Sequence, residues 1–157
     1  MKLSIIAVGK RMPKWADAGY NEYASRLPKD FTMALKEIAP IKRGKQANIE
    51  KITRQEGEQI LANIPNKSIT VALDVKGKLV STESLAERLQ KWQLETQQIN
   101  FLIGGPDGLA KACLDKANFK WSLSPLTLPH PMVRVVLAEQ LYRAWSILTN
   151  HPYHRGG

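Results

Sequence analysis

The feature of this sequence that most restricts its fold is a series of short aliphatic runs separated by segments of helical periodicity. The runs Leu3–Val8, Ser68–Val75 and Ile99–Ile103 are dominated by Ile, Val, Leu and Ala, which is typical of strands covered on both faces. Strands that alternate with helices along a chain form parallel sheets with helical crossovers. The sequence therefore predicts an α/β fold, with a mostly parallel sheet and flanking helices in a single domain that spans residues 1–157.

The remaining segments continue this alternation. Phe31–Ile38 alternates apolar and polar residues and predicts a strand with one face in water. Trp121–Leu128 is apolar but is interrupted by serine, proline and threonine. Helical spacing predicts five helices, near Lys14–Leu27, at Asn48–Asn63, from a cap at Ser81 or Thr82 to about Leu94, near Leu109–Asn118 and at Pro131–Thr149.

Cysteine content and hydropathy disfavour several classes of protein. The single cysteine, Cys113, excludes an intrachain disulfide and a thiolate metal cage, and it fits a reducing compartment. The apolar stretch at the N-terminus is too short for a signal peptide. No apolar run approaches the roughly 18 residues of a membrane span. We therefore expect a cytoplasmic protein that does not enter a membrane.

The charge of the chain points to a polyanionic partner. Its 23 Lys and Arg against 14 Asp and Glu give a net charge of +9 and a pI of about 9.8. Residues 1–52 carry an excess of six positive charges, residues 53–104 are balanced, and residues 105–157 carry an excess of three. Nucleic acid is the first candidate partner and an acidic membrane surface the second.

A glycine-rich segment, Gly104–Gly108, follows the strand run at Ile99–Ile103 and precedes a helix. Glycines at this place let a ligand approach the backbone and expose N–H donors. The segment also fits a Pro-Asp-Gly turn that binds nothing. It is neither a dinucleotide-binding fingerprint nor a phosphate-binding P-loop, so NAD and ATP are disfavoured.

The segment Ser124–Pro131 is apolar enough to be buried, yet it has three prolines in eight residues and cannot be a regular central strand. Its backbone groups would need partners. A flat polar heterocycle such as adenine could supply them, with the prolines holding the loop rigid before binding. The other interpretation is a proline-stiffened lead into the last helix, with Pro131 in its first turn.

The three histidines, His130, His151 and His154, fit no zinc-binding spacing, so no metal is expected. Basic and aromatic residues in the C-terminal third suit phosphate contact and stacking with RNA, and a basic loop offers further phosphate contacts. The C-terminal group is Arg134, Arg143, Tyr153 and Arg155, and the loop group is Lys42, Arg43 and Lys45. The simpler interpretations are a helix pair between Glu139 and Arg143 and a solvated loop.

Several segments together closely resemble the bacterial ribosomal RNA large subunit methyltransferase H family. They are Leu-Ile-Gly-Gly-Pro-Asp-Gly-Leu (102–109), Trp-Ser-Leu-Ser-Pro-Leu-Thr-Leu-Pro-His-Pro (121–131) and the ending from Glu139 to Arg155. Val-Gly-Lys-Arg-Met-Pro (8–13) and Lys-Arg-Gly-Lys (42–45) also match. The resemblance therefore spans essentially the whole chain.

This resemblance implies a SPOUT-class methyltransferase with a C-terminal trefoil knot, which pattern alone would not predict because chains rarely thread loops. The knot and cofactor loops would lie within about residues 68–157. The cofactor would be S-adenosylmethionine, and the protein a homodimer with the cofactor of one subunit near the tail of the other. The implied cofactor-binding residues are Leu73, Gly104, Gly105, Ser124, Pro125, Leu126, Thr127, Leu128 and Pro129.

The implied reaction is methylation of N3 of a pseudouridine in helix 69 of 23S rRNA, in the assembled ribosome. The candidate catalytic residues are His130, Arg134, Tyr153 and His154, and the candidate RNA-binding residues are Lys42, Arg43, Lys45, Arg143 and Arg155. Two alternatives stay open at this point. One is a ribosome-binding module without catalysis, and the other is SPOUT chemistry on tRNA, which the lack of an appended RNA-recognition domain disfavours.

Overall fold

A computed structural model describes residues 1–156, so that Gly157 of the expected domain lies outside the described residues. Five strands and five helices alternate along it. The strands are β1 (Lys2–Val8), β2 (Thr32–Ile38), β3 (Ile69–Leu79), β4 (Gln98–Ile103) and β5 (Phe119–Ser122). The helices are α1 (Lys14–Ala24), α2 (Ile49–Ala62), α3 (Thr82–Glu95), α4 (Lys111–Lys116) and α5 (His130–Leu148), and a 3₁₀ helix covers Pro152–Gly156.

The strands form one sheet in the order β2-β1-β4-β3-β5, and every pair is parallel. Strand β1 pairs with β2 from Lys2–Thr32 to Val8–Ile38 and with β4 on its other side. Strands β1, β4 and β3 lie inside the sheet, and β1, β4 and the first half of β3 are almost entirely buried. The predicted α/β class is confirmed.

The alternation of side chains along β1 places two hydrophobic cores on the two faces of the sheet. Leu3 and Ile5 face one core, together with buried residues of α1, α3 and α5. Ile6 and Val8 face the other core, which α2 and α4 cover. The fold therefore has three layers, with the sheet between α1, α3 and α5 on one face and α2 and α4 on the other. Burial of apolar side chains on both sheet faces is the main source of stability.

Strand β3 is longer than predicted because it contains an irregularity. Both Leu73 and Lys78 pair with Trp121, so the residues between them bulge out of the ladder. A Cβ at Gly77 would lie 2.7 Å from the backbone nitrogen of Trp121. The strand can therefore pair with β5 again after the bulge only because this residue is glycine. The bulge holds Asp74 and Val75 at the end of the sheet.

Other boundaries differ from the predictions by a few residues. Strand β5 ends at Ser122, because the prolines that follow cannot continue a ladder. Helix α4 has six residues, fewer than the expected Leu109–Asn118. Helix α3 begins as predicted, with the hydroxyl of Ser81 accepting a hydrogen bond from the Ser84 amide.

Within residues 1–156 we find no helix that combines the length and the apolar character required to cross a bilayer.

Candidate active site

A cleft of about 780 Å³ lies at the carboxyl ends of four strands. Gly9 after β1, Leu73 in β3, Gly104 after β4 and Ser122 at the end of β5 all line it. Parallel strands bring these ends to one edge of the sheet, which is where open α/β folds bind ligands. The volume is in the range of small-molecule and cofactor sites.

One wall of the cleft is a tight turn over Gly104–Gly108. The Gly108 amide donates to the Gly105 carbonyl at 3.0 Å, and Gly108 has φ +80°. A Cβ at Gly104 would lie 2.7 Å from the backbone nitrogen of Leu109, so only glycine lets the two ends of the turn meet. The turn therefore presents backbone, and few side-chain atoms, to the cleft.

The opposite wall is the irregular segment that follows β5. The Ser122 hydroxyl donates to the Ser124 carbonyl at 3.1 Å, and the Leu126 amide donates to the Ser124 hydroxyl at 2.9 Å. Leu126 is nevertheless 72% exposed at the mouth of the cleft. A large apolar side chain held in this position is available to cover an apolar part of a ligand.

The predicted cofactor-binding residues are brought together at this cleft. Seven of them line it: Leu73, Gly104, Gly105, Ser124, Leu126, Thr127 and Leu128. Pro125 and Pro129 are outside the lining and flank these residues in the loop.

Two predicted catalytic residues, His130 and Arg134, form a network at the floor of the cleft. Arg134 is 1% exposed and is therefore a buried cation. Its guanidinium donates to Glu37 Oε2 at 2.7 Å, to the Gly9 carbonyl at 2.9 Å and to His130 Nε2 at 2.9 Å. In this structure the Arg134 guanidinium is therefore directed to partners within the chain and is not exposed in the cleft.

The same network fixes the protonation of His130. A guanidinium only donates, so His130 Nε2 accepts and carries no proton. Burial, and next the charge of Arg134, lower the pKa of His130, while a hydrogen bond with the Gly104 backbone and the charge of Glu37 act against this shift. The imidazole is therefore neutral at pH 7, with its one basic lone pair already occupied.

The other two predicted catalytic residues, Tyr153 and His154, lie away from this cleft. The Tyr153 hydroxyl contacts Glu139 Oε2 at 3.4 Å, and His154 lies between Arg143 at 3.3 Å and Glu83 at 3.2 Å. Of these partners, Glu139 and Arg143 lie on α5, roughly 14 and 20 Å along the helix axis from His130. One chain therefore does not bring the four candidates together.

Aromatic packing holds this tail against its own chain. Tyr153 packs edge-on against Tyr142 at 4.7 Å between ring centroids, and the Arg143 guanidinium lies 4.7 Å from the centre of the Tyr153 ring. Burial is the main cause that raises the pKa of Tyr153 to about 12, so its phenol keeps its proton at neutral pH. The tail is therefore packed against α1 and α5 of its own chain.

The predicted RNA-binding residues fall into two groups. Lys42, Lys45 and Arg155 are exposed. Arg43 and Arg143 have side chains that are only 17% exposed, and both form ion pairs within the chain. Arg43 pairs with Glu56 and with Asp107, at the glycine turn.

Sequence reasoning missed the acidic partners of two arginines: Glu37 pairs with Arg134, and Glu56 and Asp107 pair with Arg43. Glu37, Glu56 and Asp107 are separated from them by 97, 13 and 64 residues, and no local pattern links positions so far apart. Within residues 1–156, no group of three or more His, Cys, Asp and Glu side chains could hold a metal ion.

A family model and a curated relative identify one family for this chain. The family described as "Predicted SPOUT methyltransferase" matches residues 1–154. The chain is 53% identical over 155 residues to the ribosomal RNA large subunit methyltransferase H of Coxiella burnetii (strain Dugway 5J108-111), covering 99% of this chain and 100% of that protein. A solved structure of a probable methylase family protein from Haemophilus influenzae Rd KW20 aligns with a TM-score of 0.54 at 14% identity, covering 96% of this chain and 68% of the other. At that identity the structural likeness concerns the fold alone.

Proposed function

The chain belongs to the SPOUT methyltransferase family, and from this premise we propose that it methylates N3 of a pseudouridine in helix 69 of 23S rRNA, using S-adenosylmethionine. The observation that carries the proposal is the cleft at the carboxyl edge of the sheet, lined by the glycine turn and by the loop after β5. Ribosomal RNA as the substrate is inferred from the 53% identical relative, whose name is ribosomal RNA large subunit methyltransferase H. The position, N3 of a pseudouridine in helix 69, is what the family resemblance implies.

The residues at the cleft fit S-adenosylmethionine. Gly104 lets the turn close tightly against the backbone of Gly108 and Leu109, so that backbone N–H and C=O groups of the turn line the cleft for a polar ligand. Leu73, Leu126 and Leu128 supply apolar surface for an adenine ring. When bound, the cofactor supplies an electrophilic methyl group on a sulfonium.

The knot belongs to the proposal as well. We infer that the loop over residues 124–129 is threaded through the preceding segments, within a single domain whose cofactor loops lie in residues 68–157. Support comes from the family and from the way the ends of β3, β4 and β5 converge on one cleft. Threading would hold the proline-rich loop in shape before the cofactor arrives.

We propose that the active unit is a homodimer in which the tail of one subunit lies beside the cleft of the other. The split between His130 at the cleft and His154 on the tail supports this arrangement, because one chain alone keeps them apart. A dimer also doubles the charge to about +18, concentrating the exposed Lys42, Lys45 and Arg155 around the rRNA. A cytoplasmic location is expected for an enzyme that acts on ribosomes.

The chain's own residues then have distinct tasks in the reaction. N3 of pseudouridine carries a weakly acidic imide proton, so a group that favours the imidate speeds the transfer. His130, neutral and bonded to Arg134, holds the cleft in shape and does not accept this proton. Tyr153 keeps its own proton. The N3 proton passes to solvent water, and the imidate nitrogen then takes the methyl group. We assign the stabilisation of the imidate to His154 and Arg155 of the tail, with positioning of the base contributing much of the rate.

Calorimetric titration with S-adenosylmethionine tests the enzymatic part of this proposal. We expect one site per chain. S-adenosylhomocysteine, which lacks the transferred methyl group, should compete for that site. The absence of binding by the folded wild-type protein would contradict the methyltransferase function and would favour a ribosome-binding module without catalysis.

A further inference from the structure

We propose that Arg43 is a positioning residue of the cleft, holding the Gly104–Gly108 turn through Glu56 and Asp107 in the shape that receives the cofactor. This inference rests on the proposed binding of S-adenosylmethionine. It replaces the phosphate contact expected of Arg43 with a role inside the chain. The neighbouring Lys42 and Lys45 remain candidates for phosphate contact.

The Arg43 guanidinium uses all three of its nitrogens. Nη2 donates to Glu56 Oε1 at 2.9 Å, and Nη1 donates to Glu56 Oε2 and to the Ile41 carbonyl, both at 2.9 Å. Nε donates to Asp107 Oδ2 at 2.7 Å. This arrangement combines a bidentate ion pair with the Glu56 carboxylate and a further hydrogen bond to the Asp107 carboxylate. It requires the planar guanidinium of arginine, which lysine lacks.

Glu56 fixes where this guanidinium lies. It projects from α2 and is only 2% exposed, so its charge must be compensated inside the protein. Arg43 supplies two hydrogen bonds and the Ile41 amide supplies a third at 3.0 Å. Because Glu56 is anchored on a helix, the Nε atom of Arg43 has a defined direction, toward the turn.

The network reaches the turn at two points. Asp107 is a central residue of the turn that the Gly105–Gly108 hydrogen bond closes, and it accepts from Arg43. Glu56 Oε1 lies 3.4 Å from the position that a Cβ on Gly105 would occupy, so the carboxylate supports the turn from behind. Gly105 and Asp107 both line the cleft. A turn ordered in advance binds its ligand without paying the entropy of ordering it on binding.

Asp107→Asn is the first variant to measure, because it keeps the size of the side chain and lies at a position that is 36% exposed. We expect the dissociation constant for S-adenosylmethionine to rise by roughly tenfold, since a charge-assisted hydrogen bond to the turn is weakened. Arg43→Lys should give a similar rise. At saturating cofactor, kcat should stay within about twofold of wild type, with the loss confined to KM for the cofactor.

Two exposed residues provide matched controls. Asp115→Asn makes the same chemical change on α4, where the carboxylate pairs only with the exposed Lys111 among the contacts of the described residues. Lys51→Met removes a positive charge from the exposed side of α2. Both variants should bind the cofactor as wild type does. In the double variant Arg43→Lys/Asp107→Asn, the second substitution should add little to the first, because the two residues act through one contact.

Unchanged cofactor affinity in folded Asp107→Asn and Arg43→Lys would overturn the inference. So would a loss of kcat with KM for the cofactor unchanged. If Arg43→Lys fails to fold, the cofactor affinity of Asp107→Asn alone tests the inference. A wild-type protein that binds no S-adenosylmethionine contradicts the proposed function as well as this inference, whereas normal wild-type binding with insensitive variants contradicts the inference alone.

Discussion

Burial separates the candidate arginines and histidines of this chain by the partners that each can reach: Arg134 is enclosed, whereas Arg155 is exposed. Arg134 is a candidate catalytic residue in the sequence, yet its side chain lies below the cleft and contacts Glu37, Gly9 and His130. A cation removed from water needs this many partners to remain stable. Its contribution is therefore to join the ends of β1 and β2 to the start of α5, and so to set the floor on which a cofactor would lie.

The lowered pKa of His130 predicts a specific dependence of stability on pH. Below the ordinary histidine pKa of about 6.5, the unfolded chain binds a proton that the folded chain resists. The free energy of unfolding should therefore fall as pH drops from 7 toward 5, and His130 should account for no more than about 1.4 kcal/mol of that fall per pH unit. Above pH 7 this residue should have no effect, because both states are neutral.

Urea unfolding of wild type and His130→Asn at several pH values checks this prediction. The difference in unfolding free energy between the two proteins should shrink as pH falls below 6.5, because the asparagine variant lacks the titrating group. Gln90→Asn, at an exposed and non-titrating position of α3, serves as the control and should show the pH dependence of wild type. A constant difference between wild type and His130→Asn from pH 5 to pH 8 would show that His130 is not held neutral.

At the scale of elements, the predicted strands and helices were confirmed wherever the local pattern of apolar residues matched the burial of those residues in the fold. The aliphatic runs at Leu3–Val8 and Ile99–Ile103 correspond to β1 and β4, and Ser81 caps α3. The alternating run corresponds to β2, a half-exposed edge strand. The bulge of β3 was not predicted, because it depends on how Gly77 fits against the backbone of Trp121 in another strand.

The candidate site was predictable only in part, and for a similar reason. Glycine and proline report local backbone geometry, so the two walls of the cleft could be placed from the sequence. The ion pairs that hold those walls join residues far apart in the chain, such as Arg43 with Asp107 and Arg134 with Glu37. The sequence shows that these charged residues are present, but only the fold shows which of them form ion pairs.

The glycine turn makes a prediction at this scale. Gly104→Ala would place a methyl group against the backbone of Gly108 and Leu109, so the turn must open. We expect S-adenosylmethionine affinity to fall by well over tenfold, while most of the sheet stays folded because the turn lies at its edge. Calorimetry for binding and urea unfolding for stability measure the two effects separately.

Gly44→Ala is the matched control for this substitution. A Cβ at Gly44 would meet no atom within 4 Å, and its φ is outside the region reserved for glycine. Cofactor affinity should therefore remain at the wild-type value. Equal affinities of the Gly104→Ala and wild-type proteins would show that the turn does not form the cofactor site.

At the scale of the whole molecule, the account requires two chains for each reaction. The cleft lies at the carboxyl edge of the sheet, and the tail packs against α1 and α5 of its own chain through Tyr23 and Tyr142. A partner subunit is the simplest source of a tail beside the cleft. Closed twofold symmetry would then create two identical composite sites.

Mixed dimers test this arrangement. A cleft variant, Gly104→Ala, and a tail variant, His154→Ala/Arg155→Ala, should each methylate ribosomes poorly. When the two chains are produced together, half of the dimers should be mixed, and each mixed dimer should have one intact site, giving about a quarter of the wild-type rate. A mixture of wild type with Gly104→Ala serves as the reference. If the two defective chains stay inactive together, each subunit uses its own tail.

The most direct test of the central claim is to map the methyl group on the RNA. Ribosomes from cells that lack this protein are incubated with the purified protein and isotopically labelled S-adenosylmethionine, and fragments of 23S rRNA are analysed by mass spectrometry. The account predicts one labelled methyl group on a pseudouridine of helix 69, at N3, and none in a parallel reaction with Gly104→Ala. Label that is absent from helix 69, or that appears in another RNA, would contradict it.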